Sequence, residues 1–306
     1  MTETIKLTFR YDQAMRLDKF LAEQIGQVSR MKIQEMITEG SVRVNGNVIN
    51  KTAFRLNDGD QVEAVLILPQ ESELIKQPVE LDVVYEDENV IVINKPAGMV
   101  VHPGAGNADN TLVNALVYHW PEIAAVGEAK RPGIVHRLDK ETSGVLIVAR
   151  NPKAYEWLVK QFKNRKAQKT YLALVDGIPP TPTGRIETRI GRNEKHRQRM
   201  SVTYGDAGRK AVTEYFTKQE YSEHTLMEVN PLSGRTHQIR VHLAFLGCPV
   251  TGDTIYGRRR KTLEIDRFFL HASSLLIRLP GENQESEFTA PLPEDLKFVL
   301  DTLERE

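Results

Sequence analysis

The chain has 306 residues, 40% of them hydrophobic and 27% charged, with 41 basic residues against 41 acidic ones. That is too long for one small domain and apolar enough for real cores, so two domains are expected. No apolar run approaches the ~18 residues of a membrane span, and the single cysteine, Cys248, excludes an internal disulfide or a CxxC site.

Arg10, Asp12, Arg16 and Asp18 interrupt every apolar stretch near the start, so no secretory leader is read there and a reducing, cytoplasmic setting is expected. Ile5, Leu7 and Phe9 alternate as a strand would. Leu17, Phe20, Leu21 and Ile25 have helical spacing, with Gly26 as a stop. Ser29 is the predicted N-cap of a second helix, which carries Ile33, Met36 and Ile37 on one face and stops at Gly40. Val42 and Val44 run into Asn45-Gly46, a hairpin turn because both residues tolerate positive φ. Asn57-Asp58-Gly59-Asp60 makes a second turn before Val62, Ala64 and Leu66. Two short helices followed by a small hairpin, with Arg16-Leu17-Asp18, Ser29-Arg30, Gly40, Val42 to Gly46 and Gly59-Asp60 in these places, resemble the S-four (S4) RNA-binding domain over most of residues 14–67. The resemblance implies that Arg16, Lys19, Arg30 and Lys32 line an RNA-facing helix surface and contact phosphates rather than bases. Residues 1–68 hold nine basic and nine acidic residues, so binding there needs a polarised face.

Pro69 to Asp82 carries two prolines, a net acidic charge and little periodicity, which marks a linker. The expected domains are 1–75 and 76–306. The second opens with Leu81, Val83 and Tyr85, a turn at Asp87-Glu88-Asn89 and the apolar strand Val90 to Ile93. Lys95-Pro96-Ala97-Gly98 and His102-Pro103-Gly104 then stop the strand and fix a loop. Gly104-Ala105-Gly106 lacks the third glycine of a dinucleotide fingerprint. Thr111 to His119 is read as a helix. His136-Arg137-Leu138-Asp139-Lys140-Glu141-Thr142-Ser143-Gly144 follows, with five ionic or ionisable residues in nine, directly before the strand signal Val145 to Val148. So dense a charge cluster against a buried strand points to a site.

A helix is expected from Pro152 to Phe162, with proline in its first turn. Arg165-Lys166-Ala167-Gln168-Lys169-Thr170-Tyr171 leads into a strand from Leu172 to Val175. Ile186 to Arg199 is read as an arginine-rich loop, and Lys210 to Phe216 and Thr225 to Val229 as strands. Arg235-Thr236-His237-Gln238-Ile239-Arg240 opens a helix that carries Ile239, Leu243 and Leu246 on one face and ends at Gly247. His237 and His242 are five apart and do not share a helix face, so no metal is expected. Phe268 to Leu279 and Ser286 to Thr289 are the late strands, and Leu292 to Leu303 the closing helix.

Four of these strings, taken in order, resemble the RluA/RluD-type pseudouridine synthases: the Lys95 to Gly98 loop with His102-Pro103, the nine residues from His136, the basic segment ending in Tyr171, and Arg235 to Arg240. The resemblance implies an α+β catalytic domain with a mixed, largely antiparallel sheet. It implies an isomerase that turns uridine in RNA into pseudouridine without cofactor, nucleotide or metal. It makes Asp139 the catalytic carboxylate, Tyr171 the active-site tyrosine that stacks on the flipped uracil, and Arg137 the arginine that fills the gap left in the RNA. Arg240 is its choice for the guanidinium that holds Asp139 ionised, with Arg235 as the fallback. His136 is expected to make an ordering hydrogen bond within its loop.

The neutral total hides segregated charge. Lys160 to Lys169 holds five basic residues and no acid, Arg185 to Lys210 eight against three acids, and Arg258 to Lys261 is a third cluster. Such blocks suit a polyanion. RNA is therefore the expected partner, ribosomal RNA of the large subunit first and transfer RNA second, with no membrane and a monomeric chain. A non-catalytic RNA-binding or ribosome-assembly protein is the rival reading. A hydrolase using Ser143 lacks the leading glycine of a nucleophile elbow, since Glu141 stands there.

Overall fold

The computed structural model describes residues 2–25, 30–67, 74–104, 106–193, 196, 199–258, 260 and 262–303, without the side chains of 2, 3, 30–32, 66 and 67. The helix stop Gly26 and the N-cap Ser29 therefore lie outside the described residues. Backbone contacts divide the chain into two units, Met1–Glu73 and Leu74–Glu306.

In the first unit β1 (Thr2–Thr8) leads to the short β2 (Met15–Arg16), then α1 (Leu17–Gln24) and α2 (Arg30–Thr38). Strands β3 (Val42–Val44), β4 (Asn47–Val48), β5 (Arg55–Leu56) and β6 (Gln61–Ile67) follow. The sheet order is β1-β6-β3-β4, and β2 pairs with β5. Asn45 (φ 50) and Gly46 (φ 81) make the β3–β4 turn as their residue types require. Both helices bury one stripe against the sheet: Leu17, Phe20 and Leu21 from α1, Ile33, Met36 and Ile37 from α2.

The second unit is built on one sheet. Its elements in order are β7 (Val83–Glu86), β8 (Val90–Lys95), α3 (Leu112–His119), β9 (Gly127–Glu128), β10 (Arg131–Pro132), β11 (Ser143–Ala149), α4 (Pro152–Lys163) and β12 (Gln168–Asp176). Then come β13 (Thr183–Arg192), β14 (Met200–Thr203), β15 (Arg209–Glu220), β16 (His224–Pro231), α5 (Gln238–Phe245), β17 (Leu270–Ile277), β18 (Ser286–Thr289) and α6 (Glu294–Leu303). Among the described residues ten strands join in the order β14-β13-β15-β16-β12-β17-β11-β8-β7, with β18 also on β17. Neighbours are antiparallel except β11 and β17, which run parallel where Ser143 and Gly144 meet His271 and Ala272.

The apolar runs of β8 and β11 are explained by burial on both faces. Successive side chains of a strand point to opposite sides. Ile91, Ile93, Leu146 and Val148 enter one core with Leu112, Leu116 and Leu243. Val90, Val92, Val145 and Ile147 enter another with Ala154 and Leu158 of α4. Helix α4 starts as the sequence predicts: Pro152 follows the N-cap Asn151, whose Oδ1 accepts the Ala154 N–H at 2.9 Å.

The arginine-rich loop expected at 186–199 is a correction. Thr183–Arg192 is a strand, paired with β15 and, toward its end, with β14. Ile186 and Ile190 are buried, but the inward position between them is Thr188, whose hydroxyl meets the buried His242 at 2.9 Å. A polar residue at an inward position erased the period-two signal. The strand after the basic segment starts at Gln168 rather than Leu172, so Tyr171 lies within β12. No helix is long and apolar enough to cross a membrane among the described residues.

Candidate active site

Asp139 sits on the loop that enters β11, and that loop is tied down from several sides. Lys95, at the end of β8 and fully buried, donates from Nζ to the carbonyls of Pro96 (2.7 Å), Met99 (2.9 Å) and Lys140 (3.1 Å). The Gly98 N–H also reaches the Lys140 carbonyl, at 2.9 Å. Arg267 donates to the Glu141 carbonyl at 3.0 Å and is itself gripped by Asp295 at 2.7 and 3.2 Å. Gly144 has φ 114, and a Cβ there would run into the backbone carbonyl of Ala272. Only glycine lets β11 approach β17 this closely.

His136 departs from its expected role. Its Nε2 accepts the N–H of Ile147 at 3.1 Å, in the middle of β11, and its ring stacks on Phe162 at 4.5 Å. The strand edge beyond Gly144 is not paired with β17, so the imidazole supplies the acceptor that a neighbouring strand would have given. Burial, with Lys169 adding, pushes this histidine down to about 3 and keeps it neutral.

Across the loop, Arg240 of α5 donates from Nη1 to Asp139 Oδ2 at 3.2 Å. Its Nε and Nη2 bind Asp253 at 2.6 and 2.9 Å, and the guanidinium lies 4.2 Å over the Phe268 ring. Asp253 is further fixed by the N–H groups of Ile255 and Tyr256. Burial works against both charges, yet the pairing outweighs it, holding Arg240 above and Asp253 below their ordinary values. Asp139 is 21% exposed, and its Oδ1 carries no protein hydrogen bond among the described residues. Tyr171 is nearly buried in β12 beside a register shift between Thr170 and Tyr171. Such bulges re-aim a side chain. Burial, with Asp139 adding, pushes its hydroxyl up, so it stays protonated. Arg137 is exposed, with no ion pair or side-chain hydrogen bond among the described residues.

The structure thus brings Asp139 and Arg240 together, and it sends Arg235 elsewhere: Arg235 Nε donates to the Lys210 carbonyl at 3.1 Å. His237 stands at the N-cap position of α5, with its Nε2 3.9 Å from Asp139 Oδ2. His242 is buried between Thr188 and Thr213. Sequence reasoning missed Asp253, Tyr256, Arg267 and the work of Lys95. The signal for Lys95 was present in its string, but its three carbonyl partners come from backbone that folds around it. A cavity of about 570 Å³ abuts the same loop, lined by Lys95, Ser143, Arg267 and Asp295; Asp139 does not line it.

In the N-terminal unit Arg16 is half-exposed and forks onto the buried Asp18 at 2.9 and 3.1 Å, and Lys19 pairs with Glu23 at 3.8 Å. Both cations therefore carry acidic partners. The side chains of Arg30 and Lys32 lie outside the described residues.

A profile of the RNA pseudouridylate synthase family matches residues 89–245, and one of the S4 domain matches residues 15–62. The chain is 41% identical over 290 residues to the RNA pseudouridine synthase YlyB of Bacillus subtilis, covering 95% of this chain and 94% of that one. It is 40% identical over 308 residues to ribosomal large subunit pseudouridine synthase D of Vibrio cholerae, covering 97% and 92%. The solved structure of human RNA Pseudouridylate Synthase Domain Containing 1 aligns with a TM-score of 0.57 at 28% identity, covering 75% of this chain and 97% of that one.

Proposed function

The chain belongs to the RNA pseudouridylate synthase family, and on that premise we propose that it isomerises uridines of large-subunit ribosomal RNA with Asp139 as the carboxylate that acts on the nucleoside. The isomerisation breaks the bond from C1′ to N1 and makes one from C1′ to C5; C5 gives up its hydrogen and N1 gains one. The balance needs no redox partner, only a carboxylate placed beside the sugar and base. It serves as nucleophile or takes a proton from the ribose.

The observation that carries the reading is the ion-pair chain from Asp253 through Arg240 to Asp139 Oδ2, which leaves Oδ1 for the nucleoside. A guanidinium held on two edges positions a carboxylate more rigidly than a lone lysine could. The target uridine must leave its stack to reach Oδ1, at a cost of a few kcal/mol. In this reading Tyr171, protonated and rigid in β12, stacks on the flipped base. Arg137, exposed two residues before Asp139, occupies the gap and meets phosphate. The ribosomal target rests on the name of the Vibrio cholerae relative, which the chain matches over nearly its full length.

The test maps pseudouridine in total RNA from cells with and without this protein. Loss of pseudouridine from large-subunit ribosomal RNA, restored by the wild-type chain and not by Asp139→Asn, is expected. Loss confined to transfer RNA overturns the substrate. Restoration by Asp139→Asn overturns the role of Asp139.

A further inference from the structure

His237 has φ 54 and ψ 21, a left-handed backbone that a residue with a Cβ adopts only where its surroundings insist. It stands at the N-cap of α5, where it makes no side-chain capping bond. The ring is instead turned to Tyr256, with Nδ1 2.8 Å from the phenol oxygen. That oxygen already accepts the Met200 N–H at 2.9 Å. Burial raises the phenol above its ordinary value, so it keeps its proton, and Nδ1 is its one acceptor among the described residues. The proton of the phenol therefore goes to Nδ1, and the hydrogen of the imidazole is on Nε2. Burial lowers His237, with Arg240 and Arg137 adding and Asp139 and Asp253 opposing, so the ring is neutral near pH 7 and has this single N–H.

Nε2 lies 3.9 Å from Asp139 Oδ2, the same oxygen that Arg240 holds at 3.2 Å. That is too far for a hydrogen bond as it stands and within one small side-chain shift of it. We propose that His237 is a positioning residue: its Nε2–H, with the tautomer set by Tyr256, closes on Asp139 Oδ2 when RNA seats and turns Oδ1 toward the nucleoside. The inference rests on the reading of Asp139 given above. Two donors on Oδ2, one charged and one neutral, fix the rotation of the carboxylate about its last bond, which a single 3.2 Å contact does not. Catalytic hydrogen bonds that are long in the free enzyme commonly tighten in the complex. A histidine is kept in a conformation better suited to glycine or asparagine because only its ring reaches both Tyr256 and Asp139.

The experiment measures single-turnover pseudouridine formation, and RNA affinity, in full-length variants that all retain Asp139. His237→Phe keeps the ring and loses the N–H; a fall in rate of about 100-fold with unchanged RNA Kd is expected. His237→Gln places an amide N–H near the Nε2 position and should recover to within about tenfold of wild type. His237→Asn suits the left-handed backbone and is too short to reach Oδ2. It should be as slow as Phe and serves as the folded control if the Phe variant is unstable. A wild-type rate in Asn or Phe overturns the proposal, as does a Gln variant as slow as Phe. Should Asp139→Asn prove active, the underlying reading fails; should Asp139 be required and the His237 series run at wild-type rate, only this inference does.

Discussion

Arg240 faces Asp139 because Asp253 holds its other edge, and both partners of that grip are buried. Removing one partner of a buried ion pair strands the other charge, at a cost of about 3–5 kcal/mol. Asp253→Ala is accordingly expected to lose that much stability in urea unfolding and to lose most activity even where it remains folded. The pH dependence has a definite sign. Asp253 titrates below its ordinary value when folded. Its contribution is therefore complete above about pH 4, the unfolded value, and is lost as pH falls through the lower folded one. Stability of the wild type should fall more steeply than that of Asp253→Asn below about pH 4, read as urea midpoints against pH. Of these residues, Asp139 and Arg240, which the structure brings together, were legible because each sits in a long string with a known likeness. Asp253 was not: it stands in an ordinary-looking Gly252-Asp253 turn, and its importance comes from a guanidinium 13 residues away in sequence.

At the scale of elements, the loop of Asp139 is fixed by what lies at its two ends. Gly144 seats β11 against β17, and its φ of 114 leaves no place for a Cβ. Gly144→Ala should lose at least about 3 kcal/mol, because both backbone strain and a clash with fixed backbone oppose it; an unchanged melting temperature would refute this. At the other end, three carbonyls surround Lys95 Nζ. Burial lowers this amine to about 7, yet three acceptors match the three protons of an ammonium and exceed the two of a neutral amine. The geometry argues for the charged form. Lys95→Met removes the shared donor; a loss of about 1–3 kcal/mol and faster amide exchange over 137–142 are expected. The helices and the two-faced strands were readable from apolar spacing. Strand β13 was not, since Thr188 faces inward where the pattern calls for an apolar residue. The β-bulge at Tyr171 leaves no mark in the sequence at all, because it is a property of the pairing with β17.

For the whole molecule, the chain is divided into two units of different size, Met1–Glu73 and Leu74–Glu306. The larger one carries the basic run from Arg185 to Lys210, of which Arg185, Arg189 and Arg192 lie on β13 and Arg209 and Lys210 on β15. A chain lacking residues 1–73 is expected to modify a short stem-loop nearly as well as the full chain and ribosomal RNA far worse; equal rates on both would remove the targeting role of the S4 domain. The affinity of the full chain should fall steeply with salt, and the slope of log K against log salt should become shallower in the truncated one. The order of the strands has a consequence for synthesis. Strands β11 and β12 are made early, but the strand that lies between them in the sheet is β17, Leu270–Ile277. Asp139 and Arg240 are themselves 101 residues apart. A ribosome that has not yet released β17 holds a nascent chain with Asp139 and Arg240 both present but without the strand that joins β11 to β12, its two central strands ending in open edges. Closure of so non-local a sheet is slow, and until β17 is in place the edges of β11 and β12 that it covers are open to pairing with other chains, which makes the partly made sheet prone to aggregate.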